Sequence, residues 1–371
     1  MRINALALHH FRNHSELFIN FQSGVTTIVG RNGLGKTNII EAINYAATLN
    51  SHRVSTDEPL IQTAFNHAQI DVSATKHNRN ARIKIELNRN GQNVALLNQA
   101  KVRRPRDIVG LLQVVVFSPE DLELVKGDPA VRRKFIDTFL MLHTPRVADL
   151  KQQYDRALKQ RNTLLKSAGR RQLSESALQT LEVWDEQVSN YGAQLVAQRM
   201  NAVKLLNPHV KNFGEVISGG TESLNLTYHS PWKSTNSESV EEIKNELLSA
   251  LITRRSEEID RAITLSGPHR DDLTLSLGDN PVKGYASHGQ SWSVAIALRL
   301  ATFQALREHD GDPILILDDV FAELDEHRRD RLASVIVDAE QTIITVADSK
   351  DVPAVLHGQV IELEHGTINV E

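Results

Sequence analysis

The octapeptide Gly30-Arg31-Asn32-Gly33-Leu34-Gly35-Lys36-Thr37 constrains this chain more than any other segment. Its pattern, G-x-x-x-x-G-K-T, works only where a strand delivers the loop and a helix leaves it. Three glycines let backbone N–H groups converge on phosphate oxygens, Lys36 reaches the terminal phosphates, and the Thr37 hydroxyl ligates Mg²⁺. The flanks comply: Val25 to Val29 reads as a buried strand, and Ile39, Ile40, Ile43, Ala46 and Ala47 recur at helical spacing. An α/β fold that binds a nucleotide follows.

Such a site needs a second strand ending in a carboxylate. Pro313 begins one, and Ile314-Leu315-Ile316-Leu317-Asp318-Asp319 completes it. Four consecutive apolar residues suit a central parallel strand covered on both faces, with the acids emerging at its carboxyl end. Asp318 is the expected Mg²⁺ residue, and Asp319 the carboxylate beside the attacking water. Asp318 follows Lys36 by 282 positions, so a large segment is inserted between the halves. Length supports this, since 371 residues allow one large α/β unit with an insertion. There are no cysteines, which excludes thiolate metal sites and a cysteine nucleophile and suits a reducing compartment. No apolar run is long enough to span a bilayer, and Asn4, His9 and His10 interrupt the start, so a cytoplasmic protein without a membrane partner is expected.

Upstream of the carboxylate strand, Tyr285-Ala286-Ser287-His288-Gly289-Gln290-Ser291 leads into the apolar run Val294 to Ala301, another helix start able to face an anion. Ser287, Gly289 and Gln290 resemble the signature loop of ABC-type ATPases, with His288 replacing the usual first glycine, and Ala322-Glu323-Leu324-Asp325 resembles their D-loop. Within that superfamily the chain resembles the RecF family. The resemblance rests on Leu8-x-x-Phe11-Arg12-Asn13-His14, Ser51-His52-Arg53, Phe117-Ser118-Pro119-Glu120-Asp121-Leu122, Gly127-x-Pro129-x-x-Arg132-Arg133-x-Phe135-Ile136-Asp137 and Gly267-Pro268-His269-Arg270-Asp271-Asp272-Leu273. Departures from the ABC pattern are Asp319 in place of glutamate, no glutamine at Phe117 to Asp121, and Ala347-Asp348 in place of a switch histidine after Ile343 to Val346.

The resemblance implies an ABC-type ATPase head built from residues 1–122 and 259–371, interrupted by a mainly α-helical lobe over 123–258. Val147, Leu150, Tyr154, Leu158 and Leu165 form one amphipathic stripe of that lobe; Val188, Leu195, Met200, Val203 and Leu206 form another, and a segment containing Gly169 and Ser174 joins them. They read as antiparallel helices. Although the formal charge is -4, Arg146 to Arg171 carries eight basic residues against two acids. That bias fits DNA contact or a solvated helix face. The clusters Arg103-Arg104-Arg106 and Arg132-Arg133-Lys134 contact phosphates or pair with acids, and Arg12 and Arg53 bracket the phosphate loop as nucleotide contacts or structural salt bridges. Val360 to Leu363 and Thr367 to Val370, separated by His365-Gly366, read as a terminal hairpin.

What the family implies is an ATP- and Mg²⁺-dependent, head-to-head homodimer. Ser287 and Gly289 of one subunit face the γ-phosphate held by the Gly30–Thr37 loop of the other. The closed dimer clamps single-stranded and duplex DNA near gaps and works with RecO and RecR to load the recombinase, at the nucleoid, with slow hydrolysis through Lys36 and Asp319. Alternatives are an ATP-switched DNA-binding module whose turnover is dispensable, and an ABC transporter ATPase subunit; a metal nuclease lacks a separate carboxylate cluster.

Overall fold

Apolar runs from both ends of the chain are knitted into one sheet. The structure, a computed structural model, describes all residues except 52, 169–173, 221–222, 365–366 and 371, and gives only the backbone of 367–370. Its chain divides into two units: Met1–Val125 with His209–Leu224 and Tyr285–Glu371, and Lys126–Pro208 with Asn225–Gly284. The first unit opens with β1 (Arg2–Phe11), β2 (His14–Asn20), β3 (Gly24–Val29), α1 (Lys36–Thr48), β4 (His67–Lys76), β5 (Arg79–Asn88), β6 (Val94–Leu97), β7 (Ala100–Lys101), β8 (Val114–Phe117) and the short α2 (Leu122–Lys126). The chain continues through α3 (Pro129–His143), α4 (Val147–Ala168), α5 (Glu175–Ser218), β9 (Leu224–His229), α6 (Val240–Thr253), α7 (Arg255–Arg261), β10 (Asp272–Leu277) and β11 (Asn280–Pro281). It closes with α8 (His288–Asp310), β12 (Ile314–Asp318), α9 (Glu326–Ile336), β13 (Gln341–Val346), β14 (Gln359–Glu364) and β15 (Thr367–Val370).

In the first unit one sheet has the order β15-β14-β3-β13-β12-β8, parallel except for β15. Every residue of β12 is buried, as its unbroken apolar run requires. Register does the positioning: Thr345 of β13 lies opposite Ile28 on one side and Asp318 on the other. The carboxyl ends of β3 and β12 therefore emerge on one edge, a strand apart. A second sheet, β2-β1-β4-β5-β6-β7, is antiparallel. Helix α1 lies in the core with both, its Ile39, Ile40, Ile43, Ala46 and Ala47 packed with Leu6, Ile70, Ile28 and Ile316. The terminal hairpin forms with Glu364 opposite Thr367; the intervening His365-Gly366 lies outside the described residues.

The second unit contains α3, α4, most of α5, α6, α7 and a sheet of order β11-β10-β9. Both amphipathic stripes are helical and turned inward, with Tyr154, Leu165, Val188, Leu195 and Leu206 buried. Gly169 falls outside the described residues. The observed partition departs from the sequence expectation in two stretches. Residues 259–284 join the second unit because Asp272 is gripped by Arg132 at 2.8 and 2.9 Å, while Asp271 accepts from Tyr228, Ser230 and Trp232 at 2.5–2.7 Å. Residues 209–224 join the first, where Arg331 donates to the Ile217 carbonyl at 3.0 Å. Buried charges tie the helices together: Arg161 pairs with Asp185 and Glu258, each at 2.6 Å, and Arg199 with Asp137 at 2.7 Å.

Gly358 enters β14 so close to β3 that an added Cβ would stand 2.1 Å from the Val25 carbonyl oxygen. Backbone must move to admit any side chain there. Gly358→Ala is expected to lower the thermal unfolding midpoint by several degrees, equivalent to about 1–3 kcal/mol of overpacking, read by differential scanning calorimetry.

Candidate functional site

The phosphate loop is braced from beneath by the turn between β1 and β2. Gly33 and Gly35 take φ values of 90° and 102°, a left-handed conformation that favours glycine. Asn13 Nδ2 donates to the Leu34 carbonyl at 3.1 Å and Asn38 Nδ2 to Asn13 Oδ1 at 2.7 Å. His14 Nε2 lies 3.1 Å from the Gly35 carbonyl. Burial holds His14 below the usual histidine value, so the ring is neutral near pH 7, and an Nε2–H donor satisfies that carbonyl. A Cβ on Gly35 would fall 2.5 Å from both Asn13 and His14. Asn13 and His14 are thus structural parts of the loop, although in the sequence they stand out only as part of a longer motif.

Lys36 is buried and donates to the Gly30 carbonyl at 2.7 Å and to Asn32 Oδ1 at 3.3 Å. Thr37 Oγ1 lies 3.3 Å from Asp318 Oδ1, so the two halves of the site meet across the sheet edge. Thr345 Oγ1 donates to the same carboxylate oxygen at 2.5 Å and accepts from Asp319 N at 3.0 Å. Asp319 adopts a φ of 52°, in the left-handed region, and is partly exposed. Thr345 was not singled out from the sequence; its one signal is a hydroxyl within the apolar strand that parallels the carboxylate strand.

Burial, together with the charges of Asp319 and Glu120, raises the Asp318 carboxyl to about 6 against hydrogen bonds from Thr345 and Thr37. Burial also raises Asp319, opposed by Lys36 and reinforced by Asp351 and Glu323. A buried carboxylate beside a hydroxyl, with acids around it, is chemically matched to a hard divalent cation. Thr37 and Asp318 therefore fit Mg²⁺, and the Gly30–Thr37 amides with Lys36 fit the phosphates it accompanies.

Ser287 caps α8. Its Oγ accepts from Gln290 N at 3.2 Å while Gln290 Oε1 accepts from Ser287 N at 2.8 Å. Arg328 of α9 packs over this turn, donating to Ser293 Oγ at 3.0 Å and pairing with Asp325, so the D-loop-like segment and the signature-like turn are neighbours. A Cβ on Gly289 would come within 3.2 Å of the Arg328 guanidinium, a contact the sequence did not disclose.

Arg12 donates through Nε and Nη2 to Glu41 at 2.8 and 2.7 Å and through Nη1 to the Pro59 carbonyl at 3.1 Å. Its guanidinium is a structural brace in this state. Burial pushes Glu41 up, but hydrogen bonds from Arg12 and Ser51 and the charges of Arg12 and Arg53 outweigh it and hold the carboxyl below its ordinary value. Arg53 is more exposed; it donates to Asn38 Oδ1 at 2.9 Å, beside the loop, and lies 3.6 Å from Glu41.

Against known proteins, the model described as RecF/RecN/SMC N terminal domain matches residues 2–362. The DNA replication and repair protein RecF of Frankia alni is 46 % identical over 364 residues, covering 96 % of each chain, and that of Streptomyces avermitilis is 43 % identical over 371 residues, covering 99 % of each. The chain belongs to the RecF family. Among solved structures, the recombination mediator protein RecF of the RecFOR pathway, as RecF-ATPrS and RecF-ATP, matches with TM-score 0.91 and 27 % identity over 100 % of this chain and 98 % and 97 % of those chains. An SmcHead bound to the C-winged helix domain of ScpA, 17 % identical with TM-score 0.55 over 100 % of this chain and 97 % of that chain, shares the fold alone. The α/β ABC-type ATPase head with a large helical insertion, expected from the sequence, is thus the fold of this RecF-family chain.

For the RecF-type basic insertion, the structure sorts the residues by burial. Arg161 is fully buried between two acids, Lys151 pairs with Asp155 at 2.5 Å, Arg132 is held by Asp272, and Arg133 donates to the Asp271 carbonyl at 2.7 Å. Arg146, Arg156, Lys159 and Lys166 are exposed, whereas Arg170 and Arg171 lie outside the described residues. Among the described residues, no helix is long and apolar enough to cross a membrane.

Two outcomes follow from the site. Because Asp318 titrates higher in the fold than its ordinary 3.8, ionising it costs stability: the cost is absent at lower pH, grows as pH rises toward 6 and is full above it. Asp318→Asn is expected to stabilise the nucleotide-free protein at pH 7.5 by about 1–3 kcal/mol and to abolish Mg²⁺-dependent nucleotide binding, both measured by thermal shift with and without Mg-ATP. Gly35→Ala should lose nucleotide binding at every Mg²⁺ concentration, as read by calorimetric titration.

Proposed function

We propose that this chain is an ATP-dependent recombination mediator acting on DNA in gap repair and replication-fork maintenance. The observation that carries it is the meeting of Thr37 and Asp318 at one sheet edge in a chain that matches RecF over nearly its whole length. The Gly30–Thr37 loop holds the triphosphate, with Lys36 neutralising charge on the terminal phosphate, and Thr37 and Asp318 hold Mg²⁺. When bound, Mg-ATP supplies the phosphoryl group and its charge neutralisation. Asp319 orients the attacking water, and its carboxylate, one methylene shorter than glutamate, makes turnover slow, so the chain is a weak ATPase that uses hydrolysis as a switch.

Ser287, Gly289 and Gln290 complete the site of a second copy. Their turn is the N-terminus of a long helix, favourable to anions, and one chain carries one phosphate loop and one such turn. ATP therefore joins two heads, and hydrolysis releases them, a population shift set by the difference in affinity for the two nucleotides. The closed pair clamps single-stranded and duplex DNA at gap junctions through exposed basic residues such as Arg156, Lys159 and Lys166, and acts with RecO and RecR. Its place is the cytoplasm, at the nucleoid. Arg12 enters as a nucleotide contact only if it exchanges Glu41 for phosphate, which makes Arg53 the readier cation.

Sedimentation of wild type, Lys36→Ala and Ser287→Ala, with and without Mg-ATP and gapped duplex, tests the clamp. Wild type alone should dimerise on Mg-ATP and bind the DNA more tightly. Equal ATP and DNA binding by three monomers would replace the clamp with a simple ATP-switched binding module. Asp319→Asn should accumulate the ATP-bound dimer and fail in gap repair; full repair activity would show hydrolysis to be dispensable.

A further inference from the structure

The tip of the phosphate loop is an Asn-Gly step, Asn32-Gly33, and the chain has one other, Asn90-Gly91. An asparagine side-chain amide is open to attack from the next backbone nitrogen, and most open before glycine, which has no Cβ to obstruct the approach. Folding suppresses that reaction where it engages either group. Here the bracing by Asn13 and His14 ends at the Leu34 and Gly35 carbonyls. Asn32 and Gly33 are both exposed, and nothing lies within 4 Å of where a Gly33 Cβ would stand. The Gly33 N–H has no hydrogen-bond partner among the described residues.

One side-chain contact favours the attack. Lys36 Nζ donates to Asn32 Oδ1 at 3.3 Å. An ammonium on that oxygen draws electron density from Cγ and stabilises the oxyanion that forms when Cγ is attacked. Asn90 is exposed too, but the cation beside it, Arg89, is turned to the Phe65 carbonyl and to Glu58 at 3.4 and 2.9 Å. The second step is therefore an internal reference for the first: the same dipeptide, exposed, without the activating cation and away from the nucleotide loop.

We infer that Asn32 is a site of spontaneous deamidation in the nucleotide-free head, and that a bound triphosphate shields it. The Gly33 nitrogen bonds to Asn32 Cγ, the Cγ–Nδ2 bond breaks, and Nδ2 leaves as ammonia with the Gly33 proton. Water then opens the succinimide at one of its two carbonyls and leaves an aspartate or an isoaspartate at position 32. Either product adds a negative charge to the loop beside Lys36 and opposes the phosphates; isoaspartate also lengthens the main chain by a methylene and displaces the loop amides. A bound phosphate engages the Gly33 N–H and Lys36 together, so the nucleophile and the activating cation are withdrawn at once. This rests on the reading of the loop as a nucleotide site and deepens it: a loaded head keeps its site, and an idle head loses it with time.

The experiment incubates the full chain in mildly alkaline buffer, which helps remove the Gly33 amide proton, alone and with Mg-ATPγS. Peptides containing Asn32 and Asn90 are followed by mass spectrometry. Both asparagines should convert in the nucleotide-free protein. With Mg-ATPγS at about 100 times its Kd, Asn32 should convert at least about tenfold more slowly, while Asn90 continues unchanged. Calorimetric titration of the aged wild type should show binding lost in proportion to the converted Asn32. Asn32→Asp should bind Mg-ATPγS about tenfold more weakly, the scale of one adverse charge near the phosphates, at an unfolding temperature close to that of wild type. In Lys36→Ala, conversion at Asn32 should fall relative to Asn90 and ignore the nucleotide. If Asn32 stays intact while Asn90 converts, or converts without loss of binding, the inference is wrong and the nucleotide site stands. Equal conversion of Asn32 with Mg-ATPγS shown to be bound would overturn the shielding. Fresh wild type that binds no Mg-ATPγS would overturn the nucleotide reading itself.

Discussion

One threonine hydroxyl in the middle of the parallel sheet holds the nucleotide site together. Thr345 donates to Asp318 and accepts from the amide of Asp319, and its strand pairs on its other side with the strand that delivers the phosphate loop. The distance between the phosphate loop and the carboxylate strand is therefore fixed by strand spacing and register, and not by the chain that links them. This explains how the second unit can be inserted between Lys36 and Asp318 at little expense to site geometry: loop-closure entropy grows only slowly with length, whereas a slip of one residue in β13 would reverse its faces and remove both bonds.

The parts of the molecule that were legible in the sequence are those whose signal is local. The phosphate loop, its strand and helix, and the carboxylate strand each announce themselves within a few residues, because a fully buried parallel strand reads as an unbroken apolar run. The serine-capped helix was legible for the same reason. Buried charge was not. Arg161 and Arg132 read as members of basic clusters, and their acidic partners lie up to 140 positions away. One local signal existed for Arg12: Glu41 interrupts the apolar face Ile39, Ile40, Ala42, Ile43 of α1, and a carboxylate there has to find a cation. The borders between the units were not legible because Asp271 and Asp272 act through side chains distant in sequence, although Pro208, inside α5 where the division falls, is a local mark.

The two units deal with buried carboxylates in opposite ways. Asp271 is raised by burial yet surrounded by three donors, so it serves to fix neighbouring side chains. Asp318 has two threonine hydroxyls and like charges nearby, and burial and those charges raise it. The difference lies in the neighbours: three donors surround Asp271, whereas Asp318 has two donors and other carboxylates close by.

The capping box at the start of α8 has a further consequence. Since the Ser287 oxygen accepts the Gln290 amide, the hydroxyl proton is not used by that amide and stays available as a donor. The helix start thus keeps a spare hydroxyl donor next to its own unpaired backbone amides, and an acceptor can be met there without the cap being broken. In the proposed pair of heads, the two nucleotides would differ at that first turn by the presence or absence of one acceptor.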